Sequence, residues 1–325
     1  MRCRRVGLAL LFILTTLFAP LVAEAQQVRS VYRIGAIDLA GSGPTSNALL
    51  QGPKALGWVE GQNFVFERRL VSSPTSIEQA ATELVELKVD LIIVRSTGFA
   101  EQVQRATRTI PIVVLAAGEL GSSGLVARLT RPCGNVTSMQ IYSPELMGKR
   151  LQLLKEAVPN LTRLVVLRGG PYVPLLLAAY RQATDDGART LGITPRYVEF
   201  QKPDELPGLF AEMEKARDHA VFVWSNPFTV THRVAVHDLA IKYRLPLLGE
   251  LRVFSGALIT YGPKIDDVFR QAATYVDRIL KGAKPGDLPI GQPTTFELFI
   301  NLKTAKALGL TIPPSLLQRA DEVVQ

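Results

Sequence analysis

The sequence predicts an α/β protein made of two similar lobes, each a parallel sheet with helices on both faces. Three observations carry this expectation. Short β-branched runs alternate with longer helical stretches, the rhythm of βαβ units. The same order of signals returns in the second half of the chain. Further strand and helix units follow that repeat, as a chain needs if it crosses back to its first lobe.

In the first half, Val31–Ile37 reads as a strand, Thr45–Leu56 as a helix and Phe64–Arg69 as a strand. Ser76–Leu87 is a helix opened by the capping box Ser76-Ile-Glu-Gln79. Leu91–Val94 and Ile112–Ala116 are short buried strands around a helix near Ala100–Ala106. Gly134–Ser143 is polar and extended, and it ends in Ser143-Pro144-Glu145, an N-cap followed by proline at N1.

The second half reads as strand Leu164–Leu167, helix Pro174–Leu191, strand Pro195–Phe200, helix Asp204–Ala216, strand Ala220–Trp224, helix Thr231–Tyr243 and strand Pro246–Leu248. Ile34 matches Leu164, Gly57 matches Gly192, Asp90 matches Asp218 and Pro111 matches Pro246 at similar offsets. Each Leu-Gly pair places a glycine just past a helix end. Beyond the repeat come strand Ala257–Tyr261, helix Lys264–Lys281 closed by Gly282, strand Phe296–Ile300, and helix Leu302–Leu308 between Asn301 and Gly309. Several crossings between lobes make a hinge, and such hinges accompany closure around a ligand.

The first 25 residues are of another kind. Arg2, Arg4 and Arg5 precede an apolar run without charge until Glu24, and Ala23-Glu24-Ala25 is a small-x-small cleavage pattern. This reads as a secretory signal peptide. A permanent anchor is the rival reading, because a spanning helix needs about 20 apolar residues; Pro20 and the cleavage pattern favour removal. The mature chain is then expected in the periplasm, away from ATP and NAD(P)H, which excludes most dehydrogenase, kinase and nucleic-acid roles.

Cys3 precedes the apolar run, so it is not the lipid-bearing cysteine of a lipoprotein. Cys133 is then left alone, with no disulfide partner. Losing the leader takes the formal charge from +8 to +6. The remaining charge is scattered, as in Arg68-Arg69 and Lys149-Arg150, and reads as a solvated surface rather than a nucleic-acid face.

Ligands of open parallel sheets bind beyond the carboxyl ends of the strands. In the first half those ends carry Asp38, Ser96, Thr97, Gly118 and Glu119; in the second they carry Gly169, Tyr172, Trp224, Ser225, Asn226 and Glu250. Ser96-Thr97 and Ser225-Asn226 each precede a helix and suit capture of a carboxylate by backbone N–H groups and hydroxyls. Asp38 or Glu119 suits an amine. Trp224, Tyr142, Tyr172, Phe228 and Tyr261 can sandwich an apolar or aromatic group. Each of these residues also has a plain structural use as a helix cap or a core edge.

Enzyme signatures are weak. Pro44 and Ser46 break the dinucleotide pattern that Gly41-Ser-Gly43 begins, and Gly121-Ser-Ser-Gly124 is one residue short of a nucleophile elbow. His232 and His237 do not have zinc spacing, so no metal or cofactor is expected.

The chain resembles the ABC-transporter substrate-binding proteins related to the tryptophan/tyrosine-binding type. The resemblance rests on Leu56-Gly-Trp-Val-Glu-Gly-Gln-Asn63, Gly124-Leu-Val-Ala-Arg-Leu, Arg131-Pro-Cys-Gly-Asn-Val-Thr137, Pro144-Glu-Leu-Met-Gly-Lys-Arg150 and above all the tail Gln292–Leu310. It implies a type I periplasmic-binding-protein fold: two Rossmann-like lobes joined by a multi-strand hinge of three crossovers, without catalysis. The lobes are expected at 26–140 plus 259–288 and at 141–258 plus 289–325.

The resemblance also implies a monomer that delivers a small organic ligand, an amino acid or related aromatic or branched acid, to an ABC permease in the inner membrane. A sensory protein of the same fold, presenting its ligand to a membrane receptor, is the alternative. The family usually has Gly-Asp-Pro where this chain has Gly118-Glu119-Leu120.

Overall fold

The computed structural model describes residues 31–39, 54, 56–72, 76–117, 134–170 and 174–325. The expected leader, and all but two residues of the helix expected over 45–56, lie outside these residues.

The first sheet is five-stranded and parallel. Its strands are β1 (Tyr32–Leu39), β2 (Phe64–Val71), β3 (Leu91–Val94), β4 (Ile112–Ala117) and β5 (Val136–Gln140), in the order β2-β1-β3-β4-β5. Helices α1 (Ser76–Glu86) and α2 (Thr97–Ala106) fill two of the connections. Successive strand side chains point to opposite faces. Ile92, Val94, Ile112 and Val114 therefore pack with Leu84 and Val103 of these helices, whereas Leu91, Ile93, Val113 and Leu115 face the other way.

The chain then builds a second lobe: α3 (Met147–Ala157), β6 (Arg163–Gly169), α4 (Pro174–Thr190), β7 (Thr194–Phe200), α5 (Leu206–Lys215), β8 (Ala220–Val223), α6 (Pro227–Thr231), α7 (Arg233–Lys242), β9 (Leu247–Gly249) and β10 (Ile259–Pro263). It returns to the first sheet with α8 (Ile265–Leu280). It finishes in the second lobe with β11 (Phe296–Asn301), α9 (Leu302–Leu308), α10 (Pro314–Leu317) and β12 (Glu322–Val324). The second sheet has the order β12-β11-β10-β9-β8-β6-β7, parallel except for the antiparallel pair β10–β11. One face packs Leu164, Val166 and Phe222 against α3 and α4; the other packs Val165, Val221 and Val223 against α5 and α7.

The repeat read in the sequence has a structural counterpart. The order β2-β1-β3-β4 recurs as β7-β6-β8-β9. Pro111 and Pro246 do the same job: their carbonyls accept the N–H of Ile92 and Val221, on the third strand of each lobe. Gly57 and Gly192 both hold positive φ, 84° and 66°, which a side chain would resist.

Other expectations needed correction. The polar stretch Gly134–Ser143 contains strand β5, in which Val136, Thr137, Ser138 and Met139 are all buried. The single helix expected over Thr231–Tyr243 is two helices that meet at His232, because Asn226 and Pro227 start α6 earlier. The second sheet extends through β10 to Pro263, past the expected change of lobe at Ile259, because β10 is hydrogen-bonded between β9 and β11.

Three crossings join the lobes: residues 141–146, residues 263–265 and residues 288–295. The first and third are paired through Gln140 and Gly291, whose N–H and C=O bond at 2.8 Å. The second and third are joined by Lys264 N–H to the Thr295 carbonyl at 3.0 Å. On α8, the spacing Val268, Phe269, Ala272, Val276, Ile279 makes one apolar stripe that packs on the face of the first sheet opposite α1 and α2.

Candidate functional site

The carboxyl ends of β6, β8, β9 and β10 come together around a buried ion pair. Arg150 projects from α3 and Glu250 follows β9; their side chains are 1% and 3% exposed, and Arg150 Nη1 lies 3.1 Å from Glu250 Oε1. Arg150 also donates from Nε to the Tyr261 carbonyl at 2.9 Å and from Nη1 to the Ser143 carbonyl at 3.2 Å. Glu250 Oε2 accepts the Ser225 backbone N–H at 2.8 Å.

The Tyr180 hydroxyl, on α4, accepts the Ser143 N–H at 3.3 Å and lies within electrostatic reach of Glu250. Burial, reinforced by the Glu250 carboxylate, holds the Tyr180 phenol well above its usual range and raises that of Tyr142 in the same way. Both phenols therefore stay neutral.

Aromatic rings line up beside the pair. Tyr142 meets Tyr180 edge-on at 6.1 Å, Tyr180 meets Trp224 at 5.4 Å, and Trp224 meets Tyr197 at 6.1 Å. Trp224 is only 2% exposed and belongs to the core, so it supports the site from beneath instead of sandwiching a ligand directly. Tyr142 and Tyr261 are half-buried, and Tyr142 packs against the cores of both lobes.

Ser225 and Asn226, adjacent in sequence, differ in what they leave open. The Asn226 amide accepts the Thr229 N–H at 2.7 Å and donates to the Gly169 carbonyl at 2.7 Å, so its side chain serves as a cap and clamp. Gly169 is needed there, since a Cβ would collide with the Phe200 ring. The Ser225 hydroxyl is buried and makes no hydrogen bond among the described residues. A buried hydroxyl is ordinarily paired.

The first lobe presents a smaller set. Ile37 of β1 pairs with Val94, the last residue of β3, which puts Asp38 of β1 beside Arg95, one residue past β3. Burial raises the Asp38 carboxyl, opposed by Arg95 and Arg68. Burial also lowers Arg95, opposed by Asp38. Ser96 sits in extended geometry before α2, and its hydroxyl makes no capping bond. Thr97 is buried in the first turn. Gly118, Glu119 and Tyr172 lie outside the described residues.

The structure thus gathers Gly169, Trp224, Ser225, Asn226, Glu250 and Tyr261 in the second lobe with Tyr142 beside them in the first crossing, and Asp38, Ser96 and Thr97 in the first lobe. Sequence reasoning missed Arg150, Tyr180 and Arg95. Arg150 did leave a signal, because it lies on the apolar face that Met147, Leu151 and Leu154 define. No His/Cys/Asp/Glu cluster able to hold a metal occurs among the described residues, nor does a helix long and apolar enough to cross a membrane.

Two α/β lobes joined by three crossings, with polar and aromatic groups gathered at strand ends, have the build of a solute-binding protein. The family model for ABC transporter substrate binding proteins matches residues 44–324, and the chain belongs to that family. It is a binding protein and not an enzyme.

A "Tyrosine-binding protein" of Clostridioides difficile (strain R20291) is 26% identical over 263 residues, 78% of this chain and 73% of the relative. A conserved domain protein from Vibrio cholerae shares the fold with TM-score 0.82 at 24% identity, over 90% of this chain and 100% of that one. The ABC domain from Streptococcus pneumonia in complex with L-Trp has TM-score 0.82 at 21% identity, over 91% of this chain and 100% of that one.

Proposed function

We propose that the chain is the periplasmic solute-binding component of an ABC import system that captures an aromatic amino acid or a closely related acid between its lobes. The observation that carries this reading is the buried Ser225 hydroxyl, unpaired among the described residues at the head of the second sheet. A ligand carboxylate gives it the partner that a buried hydroxyl requires. Tyr142 and Tyr261 flank the site as half-buried rings, and the tyrosine-binding relative supports an aromatic ligand.

In this reading Asp38, Ser96 and Thr97 close on the ligand from the first lobe. The lobes move about the three crossings. The leader at 1–25 exports the chain and is cut after Ala25, and the released monomer carries its ligand to an inner-membrane permease.

Purified mature protein is titrated with L-tyrosine, L-tryptophan, L-leucine and benzoate, following intrinsic fluorescence and melting temperature. A ligand at about 100 times its Kd adds about 2.7 kcal/mol of stability, which a melting curve resolves. A saturable response to the aromatic amino acids, weakened by Ser225→Ala, is the expected result. Silence in both signals across the set removes the amino-acid assignment. Mass measurement of protein from a periplasmic extract checks the cleavage site.

A further inference from the structure

We propose that the buried Arg150–Glu250 pair is a positioning element that sets the ligand-facing end of the second sheet against two of the three crossings. The proposal rests on the reading that this sheet end carries the ligand. Arg150 spends its bonds on the hinge: it donates to Ser143 in the first crossing and to Tyr261 at the threshold of the second. Glu250 spends its bond on the site: it accepts the Ser225 N–H, with the Tyr180 phenol close enough to feel its charge. The ion pair connects the two sets, so a shift of either crossing reaches Ser225 through one side-chain contact.

The pair is unlike the other ion pairs of the molecule. Among the described ones it alone has both side chains below 5% exposure, whereas Arg69–Glu83, Arg189–Asp186 and Arg252–Glu322 are solvated. Taking two charges out of water offsets most of their attraction, so a buried pair is a poor source of stability compared with apolar packing. Its use here is geometric. Glu250 Oε2 accepts the Ser225 N–H while Oε1 lies 3.1 Å from Arg150, so one carboxylate joins the ion pair to the site.

The test uses the full mature chain with Glu250→Gln, Arg150→Met, the double variant and Arg150→Lys. Backbone amide exchange is measured without ligand for peptides covering 141–146 and 259–264, against a control peptide in α5. L-tyrosine and L-tryptophan titrations follow. Each single charge removal strands its partner and lowers the melting temperature. The double variant regains most of that loss, yet exchange in both crossing peptides rises about tenfold and affinity falls about tenfold.

Arg150→Lys keeps the charge but not the fork, so it raises exchange at one or both crossings with little change in melting temperature. This variant carries the test if the others do not fold. Wild-type exchange and wild-type affinity in the double variant overturn the proposal, as does wild-type exchange in Arg150→Lys. If the unaltered protein binds neither amino acid, the ligand assignment fails while the exchange measurement still decides the role of the pair.

Discussion

The Gly262 backbone lies so close to Glu250 that a Cβ at position 262 would overlap the Glu250 carbonyl oxygen. That contact holds the end of β10 against the segment leaving β9, just where the chain turns toward its second crossing. Gly262→Ala must separate these two segments. Overpacking of this kind costs about 1–3 kcal/mol. The expected result is a lower melting temperature together with weaker binding of aromatic amino acids. Gly208→Ala on α5, where a Cβ meets nothing within 4 Å, is the contrasting variant, expected to be neutral or slightly stabilising.

Trp58 ties the first lobe to its returning helix. Its indole N–H donates to Asp277 on α8 at 2.9 Å, and its ring meets Tyr32 edge-on at 5.5 Å. Trp58→Phe keeps most of the ring contact and loses the bond. The expected loss is about 1.5 kcal/mol, at the low end for hydrogen bonds to charged groups. A urea midpoint shift with an unchanged slope is the measurement. The variant also leaves Trp224 as the one tryptophan, so any ligand-dependent fluorescence that survives reports on the second lobe.

Asn301 closes the far side of the second lobe. Its carbonyl oxygen caps α9 by accepting the Thr304 N–H at 3.0 Å, and its amide donates to the Ser255 carbonyl at 2.8 Å. Asn301→Ala loses both bonds and is expected to destabilise by about 1–2 kcal/mol. Asn301→Asp keeps the cap but sets a carboxylate oxygen against the Ser255 carbonyl, so at neutral pH it is no milder than Asn301→Ala. Thermal melts rank the three proteins, and ligand affinity stays unchanged in both variants.

Alkaline pH should unlock the aromatic cluster. Burial raises the phenols of Tyr142, Tyr180 and Tyr197 above their usual value of 10. Below that pH the phenols are protonated in folded and unfolded chains alike, and stability is unaffected. As pH rises above it, the unfolded chain loses protons that the folded one keeps, so stability falls. Urea melts across this range check the slope, and Tyr180→Phe makes the decline shallower. Tyrosinate absorbance should show a group of late phenols that ionise only on unfolding.

Much of this fold was legible because its signals are local. Pro111 and Pro246 each open a fourth strand, Asn301 caps a helix, and Gly309 closes it with φ of 70°. The buried strand β5 was harder to read, because Thr137 and Ser138 give it a polar sequence and its burial comes from a neighbouring strand and a returning helix. The site was half-legible. Strand ends announce themselves, but Tyr180 comes from the middle of α4 and Arg150 from α3, and only the tertiary fold brings them to Glu250. Asn226 looked like a ligand contact for the same reason that it makes a good cap, since its side chain can bond backbone groups.

The return of α8 to the first sheet has a consequence for how the protein is made. Strands β1 to β5 leave the ribosome early, yet the helix that packs on one of their faces, α8, is complete only when residues 265–280 have been synthesised. By then β6 to β10 have emerged, while β11 and β12 of the second sheet are still to come. A fragment ending at residue 140 lacks the apolar stripe of α8 and should aggregate. Each lobe therefore waits for a segment made after the other has begun, the first for α8 and the second for β11 to β12.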